Sequence, residues 1–216
     1  MLQQINKKII FYISLVIILG TFNNKNLKNF DIPKRVRKSE RSSSALIFYW
    51  GINKTFNELD LHNILFSDDY RHEFESIFQK GEISNDPTIY INITSKDVAN
   101  DAPKDCENWF VMVNAPYDSK QKWDEVTLKL RKIIIQKINR RLQTDIEKFI
   151  HAEKVYTPQT IESKTQSYKG ALYGTSSNSK LSAFLRHPNF SKQIDNLYLR
   201  PLSEDQFNHL CEFHIL

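Results

Sequence analysis

At 216 residues, with a hydrophobic fraction of 40% and an aromatic fraction of 12%, the chain has the size and composition of one good-sized folded domain with appendages, which excludes a disordered chain. The net charge of +5 and pI near 9.0 are spread out: residues 34–41 carry five cations against Glu40, and 120–141 a second excess. Neither has the interleaved aromatics or motif of a nucleic-acid binder, so no nucleic-acid partner is expected. Two cysteines, Cys106 and Cys211, exclude a disulfide framework, and five scattered glycines leave no G-x-G-x-x-G.

Residues 1–25 stand apart. Lys7-Lys8 precede an apolar run of about twelve residues from Ile9, short of the roughly 20 a spanning helix needs. An Asn-rich stretch follows without a small-x-small cleavage site. The run reads either as an interfacial anchor or as an extension unrelated to the fold. Residues 30–40 are a basic linker containing Pro33.

The strongest strand signal follows the serines at 42–44. Leu46, Phe48 and Trp50 point one way and Ala45, Ile47 and Tyr49 the other. Both faces are apolar, so an interior strand is expected, broken by Gly51. A second strand is expected over 59–66, with Leu59, Leu61, Asn63 and Leu65 on one face. Asp68 and Asp69 mark a helix N-terminus, Tyr70, Phe74, Ile77 and Phe78 its apolar side, and Gly81 its end. Residues 87–94 alternate with Ile89, Ile91 and Ile93 inward, and 108–116 read as another interior strand. A long helix over 122–142 carries the stripe Trp123, Val126, Leu130, Ile134, Ile138 and Leu142. A strand over 150–155 precedes a helix opened by Thr157-Pro158. The fold class is α+β, with a mixed, largely antiparallel sheet and covering helices.

Chemical motifs are sparse. His62, His72, His151 and His187 lack a second ligand at helical spacing, and His209, Cys211 and His214 lack a fourth ligand, so no metal is expected. No G-x-S-x-G elbow is present, and helix capping accounts for Asp68-Asp69. Residues 168–178 place Gly170 and Gly174 among tyrosines, either a surface turn or a place where backbone approaches a flat ligand. No catalytic residue is identified.

The ordered series Glu40-Arg-Ser-Ser-Ser-Ala-Leu-Ile-Phe-Tyr-Trp-Gly, Leu61-His-Asn-Ile, Phe66-Ser-Asp-Asp-Tyr, Asp86-Pro-Thr-Ile-Tyr, Glu107-Asn-Trp-Phe-Val-Met-Val, Tyr168-Lys-Gly-Ala-Leu-Tyr-Gly, Phe184-Leu-Arg-His-Pro-Asn and Asn196-Leu-Tyr-Leu closely resembles the C-terminal half of bacterial-type phytoene desaturases. These are FAD-dependent carotenoid desaturases. The resemblance divides the chain into an extension at 1–30, a desaturase substrate-domain-like region at 31–199 and a non-matching tail at 200–216.

The resemblance implies the substrate domain of a two-domain, FAD-dependent, amine-oxidase-like oxidoreductase. Such enzymes remove hydrogens from C–C bonds of a long isoprenoid such as phytoene at a membrane surface, and the flavin accepts the hydride. It places Tyr173, Gly174 and His187 near the flavin. Phe48, Trp50, Trp109 and Met112 are candidates for the polyene channel, and core packing accounts for each equally well. Both glycine-rich flavin stretches of the family are missing from the sequence. A truncated frame is therefore expected, inactive and poor in FAD unless a complementing N-terminal chain supplies the flavin domain. The peripheral, cytoplasmic side of the membrane is the expected location. A non-enzymatic isoprenoid-binding or membrane-surface protein on the same domain is the alternative.

Overall fold

The computed structural model describes residues 41–118, 120–165 and 167–172. They fall in two compact units, one formed by Ser44–Thr160 and the other including 41–43 and 161–172. In chain order the elements are β1 (Ser44–Ile52), β2 (His62–Leu65), α1 (Tyr70–Glu75), β3 (Ile89–Asn92), β4 (Glu107–Ala115), α2 (Trp123–Leu142), β5 (Ile150–Tyr156) and α3 (Pro158–Thr165). The strands form one sheet in the order β2-β3-β4-β1-β5, and every pairing is antiparallel. The α+β class and the antiparallel bias hold, but the sheet is not mixed: among the described residues it has no parallel pair.

Strand β1 is interior, as its two apolar faces require. It pairs with β4 from Ser44↔Ala115 to Ile52↔Glu107 and with β5 from Ile47↔Tyr156 to Ile52↔Ile150. Gly51 does not break it. The strand continues to Ile52, and the register against β5 shifts between the two residues. A side chain at Gly51 would meet the Ala152 Cβ at 3.3 Å, so the glycine admits a close neighbour rather than a turn.

One face of the sheet builds the core. Leu46, Phe48, Trp50 and Ile52 of β1 join Ile89 and Ile91 of β3, Trp109, Val111 and Val113 of β4, and Leu130, Ile134 and Ile138 of α2. The stripe of α2 fits the sheet because Trp123, Val126, Leu130, Ile134 and Ile138 recur every three or four residues. Asp124 and Glu125 sit in its first turn and Arg140 and Arg141 in its last, which matches the helix dipole. Gln143 ends it in the left-handed region at φ 49°.

Strand β2 is shorter than the alternation at 59–66 predicts, because only its four residues reach hydrogen-bonding register with β3. The Asp69 side chain caps α1 by accepting from the His72 N–H at 2.9 Å. A π-helical stretch over Ser76–Lys80 follows, ended by Gly81 at φ 67°. The wider turn moves the buried side away from the predicted aromatic stripe: Glu73, Ser76 and Ile77 are buried, whereas Tyr70 is exposed. Tyr70, Phe74 and Phe78 instead contact one another, with centroids at 4.6 and 6.0 Å.

Two buried carboxylates fix the loops. Glu73 accepts from the Thr88 N–H at 3.0 Å and the Thr88 hydroxyl at 2.7 Å. Glu107 accepts from the Phe56 N–H at 2.9 Å and from Trp109 Nε1 at 2.7 Å, and pairs with Lys96 Nζ at 2.7 Å. Lys96 also donates to the Phe56 carbonyl. Removing the Glu107 carboxylate strands a lysine and two N–H donors. Glu107→Ala is expected to cost about 3 kcal/mol of unfolding free energy, read from the urea midpoint at constant m-value.

Candidate functional site

The face of the sheet opposite α2 carries the other half of each alternation. The register puts Tyr49 opposite Phe110, Tyr90 opposite Met112 and His62 opposite Asn92. Aromatic side chains also reach their diagonal neighbours across adjacent strands. The result is a ladder with one ring from each of the five strands. Tyr156 of β5 meets Tyr49 of β1 at 5.3 Å, and Tyr49 meets Phe110 of β4 at 5.5 Å, both edge to face. Phe110 meets Tyr90 of β3 at 6.2 Å, and Tyr90 stacks on His62 of β2 at 6.0 Å. Tyr156 and Tyr49 are buried, Phe110 and Tyr90 half-buried and His62 exposed.

The two ends of the ladder are polar. Lys154 Nζ lies 5.6 Å from the Tyr156 ring centroid. At the other end His62 Nδ1 is 2.8 Å from Tyr90 Oη and 3.1 Å from Asn92 Nδ2. Half-buried Met112 adds a polarizable thioether to the same face. Chemically this is an apolar track of ring faces and edges, suited to a long flat hydrocarbon.

The sequence candidates fall on different sides of the sheet. Phe48, Trp50 and Trp109 come together on the α2 side, each at most 1% exposed. Trp50 Nε1 donates to Glu153 Oε2 at 2.6 Å, and Arg131 bridges Glu153 and Glu147 at 2.8 and 2.6 Å. Partial burial disfavours the Arg131 charge, but these two carboxylates outweigh it and hold the proton more tightly than usual. Met112 lies apart from the three, on the ladder face. Tyr173, Gly174 and His187 lie outside the described residues, as do the segment at 1–25 and the tail. Of the 168–178 stretch, residues 168–172 are described. Gly170 takes φ 70° in a 3₁₀ turn, and the Arg41 guanidinium lies 5.0 Å from the Tyr168 centroid.

Burial pushes the Arg41 guanidinium below its ordinary pKa, partly opposed by the Tyr168 hydroxyl. Sequence reasoning had the direction of Tyr49 and Tyr90 but missed the ladder. The signal is period-2 alternation of aromatics, and it becomes a ladder only once the strand register is known.

A dinucleotide cradle needs a glycine-rich strand–turn–helix inside a parallel βαβ unit. Among the described residues every strand pair is antiparallel, and the two glycines at positive φ, Gly81 and Gly170, close a helix and a short turn. These residues do not fit FAD. No helix among them is long and apolar enough to cross a membrane.

A second concavity, of about 430 Å³, lies between the start of α1, the loop before β3 and the last turns of α2. Several of its polar groups are committed to holding these elements together. Asp86 accepts from Lys137 Nζ at 2.6 Å and from the Asp68 N–H at 2.7 Å. Partial burial raises the Asp86 pKa, but the bonds from Lys137, the Asp68 backbone and Ser67 outweigh it and hold the carboxyl below its ordinary 3.8. The contribution is therefore complete above that value and lost as pH falls through the depressed pKa. Urea midpoints between pH 5 and about pH 2 should fall more for the unaltered chain than for Asp86→Asn, which starts lower and titrates less.

No protein-family model matches the chain. It is 58% identical over 172 residues to a 1-hydroxycarotenoid 3,4-desaturase from Flavobacterium sp. (strain P99-3), a match covering 80% of this chain and 35% of that protein. It is 29% identical over 178 residues to a 4,4'-diaponeurosporene oxygenase from Staphylococcus haemolyticus, covering 82% of this chain and 34% of the relative. A 4,4'-diapolycopene oxygenase from Methylomonas sp is also 29% identical, over 76% of this chain and 34% of the relative. The chain thus spans about a third of the length of these curated relatives. Over the matched residues it is a carotenoid desaturase-family sequence, corresponding to the C-terminal portion of that family.

Proposed function

We propose that this chain is the substrate-binding part of a carotenoid-oxidising oxidoreductase, and that the ring ladder is its polyene-contacting face. The observation that carries the reading is the 58% identity to a 1-hydroxycarotenoid 3,4-desaturase. The ladder supplies the physical means: a conjugated chain laid across β4 and β3 meets the half-buried rings of Phe110 and Tyr90, which the buried Tyr49 and Tyr156 extend into the fold. Met112 belongs to this surface, whereas Phe48, Trp50 and Trp109 stabilise the sheet against α2. In this reading residues 31–199, which include the unit formed by Ser44–Thr160, belong to the substrate domain of a two-domain, amine-oxidase-like flavoprotein.

FAD serves as hydride acceptor in the intact enzyme, held by residues other than those described or by a complementing chain. The described residues bind and orient the polyene and take no part in the hydride step. The substrate is an acyclic carotenoid or its precursor, drawn from a membrane surface because such molecules do not dissolve in water. Ile64, Phe66 and Tyr70, all more than half exposed, support membrane contact near the β2 edge.

A chimera tests the enzymatic reading. The Flavobacterium desaturase, with its matching segment replaced by the 172 aligned residues of this chain, should still desaturate a 1-hydroxycarotenoid. A folded, flavin-loaded but inactive chimera overturns the reading. For the surface itself, Phe110→Ala in the full chain should weaken carotenoid binding by about tenfold, read as quenching of intrinsic fluorescence. Its urea midpoint should move less than that of Trp109→Ala, whose ring is fully buried.

A further inference from the structure

The ladder changes character at β2. Every other rung is a phenyl or phenol, but the last is His62, and its orientation is determined by its neighbours. Asn92 Nδ2 lies 3.1 Å from the Leu61 carbonyl oxygen and 3.1 Å from His62 Nδ1. A carbonyl only accepts, so the Asn92 atom between them is the amide nitrogen, and it places an N–H donor toward His62 Nδ1, which favours the tautomer in which Nδ1 accepts. Tyr90 Oη, 2.8 Å from the same nitrogen, shares its single lone pair with Asn92 in this tautomer. In that tautomer the proton is on Nε2, the nitrogen turned away from this pair. His62 is exposed, and no bond to Nε2 is made by any described residue. The face therefore runs from apolar rings into one oriented N–H donor beside a stacked tyrosine.

We infer that His62, held by Tyr90 and Asn92, donates a hydrogen bond from Nε2 to a terminal oxygen of the bound polyene, and so makes this surface prefer oxygenated over hydrocarbon ends. The inference rests on the reading of the ladder as the polyene surface and adds a specificity-determining residue to it. Both a hydroxyl and a carbonyl oxygen accept such a bond, and a hydrocarbon end cannot. A hydrocarbon end there leaves the donor without the partner that an oxygenated end supplies, which is the basis of discrimination.

The test uses the full chain and three acyclic polyenes of equal length, ending in a hydroxyl, a carbonyl or a hydrocarbon, titrated in detergent micelles with intrinsic fluorescence as readout. The unaltered chain should bind an oxygenated end about tenfold more tightly than the hydrocarbon. His62→Phe keeps a ring against Tyr90 and removes the donor; it should abolish that preference, bringing the oxygenated ends to the affinity of the hydrocarbon end. His62→Gln, which keeps a donor, should retain part of it. A preference confined to the hydroxyl or to the carbonyl arm, and lost in His62→Phe, supports the inference and identifies the oxygen read. An unchanged preference in His62→Phe, or an equal fall for all three polyenes, shows that His62 is only a strand cross-link and overturns it. Equal binding of all three by the unaltered chain overturns this inference while leaving the ladder reading intact. Absence of binding to any of them overturns both.

Discussion

Strand β1 has no solvent-facing side, and the rest of the sheet follows from that. Its apolar residues from Ala45 to Trp50 are at most 7% exposed. Both of its edges are paired, by β4 and β5, so its backbone groups are satisfied within the sheet. A strand of this kind cannot sit at an edge or beneath water on one face. Its even-numbered residues require a packed layer, which α2 and its isoleucines provide. Its odd-numbered residues belong to a second apolar surface, and Tyr49 is the rung there that joins the rings of β5 to those of β4.

The ladder depends on register, and register depends on the turns and loops at the strand ends. A slip of one residue between β3 and β4 would carry Tyr90 to the α2 side and Ile91 to the ladder. Glu73 and Glu107 oppose such slips from inside the fold. Glu73 holds Thr88 just before β3, and Glu107 holds the Phe56 segment against the start of β4. Buried carboxylates carry a desolvation cost, and each is offset here by at least two donors. Trp109, fully buried, donates to Glu107 while its ring packs edge-on against Phe56 at 5.4 Å.

The arrangement divides labour between the two faces. The α2 face is closed by aliphatic packing and by the Trp50–Glu153–Arg131 chain that connects β1, β5 and the helix. The opposite face carries rings that are buried on β5 and β1, half-buried on β4 and β3 and exposed on β2. An all-antiparallel sheet presents no βα turn at which a dinucleotide would bind, yet toward β2 it leaves the cross-strand row of Phe110, Tyr90 and His62 accessible. That division is what the proposed role of holding a polyene requires.

Much of this was legible in the sequence because it is written in local periodicity. The two-faced pattern at 45–50, the alternation Ile89-Tyr90-Ile91-Asn92, the stripe of α2, Asp69 at a helix cap and Pro158 at a helix start all report short-range physics. So did the family, through many short segments in order. The π-helical turn at Ser76–Lys80 was not legible, because a single widened turn depends on how Glu73 and Ile77 are buried. Nor was Gly51, whose role is set by Ala152 about a hundred residues away. Alternation shows that Phe48 and Tyr49 point in opposite directions, but it does not say which of them meets a helix. Which face becomes core, and which rings align into a ladder ending at His62, is decided only by pairing register and layer packing between distant segments.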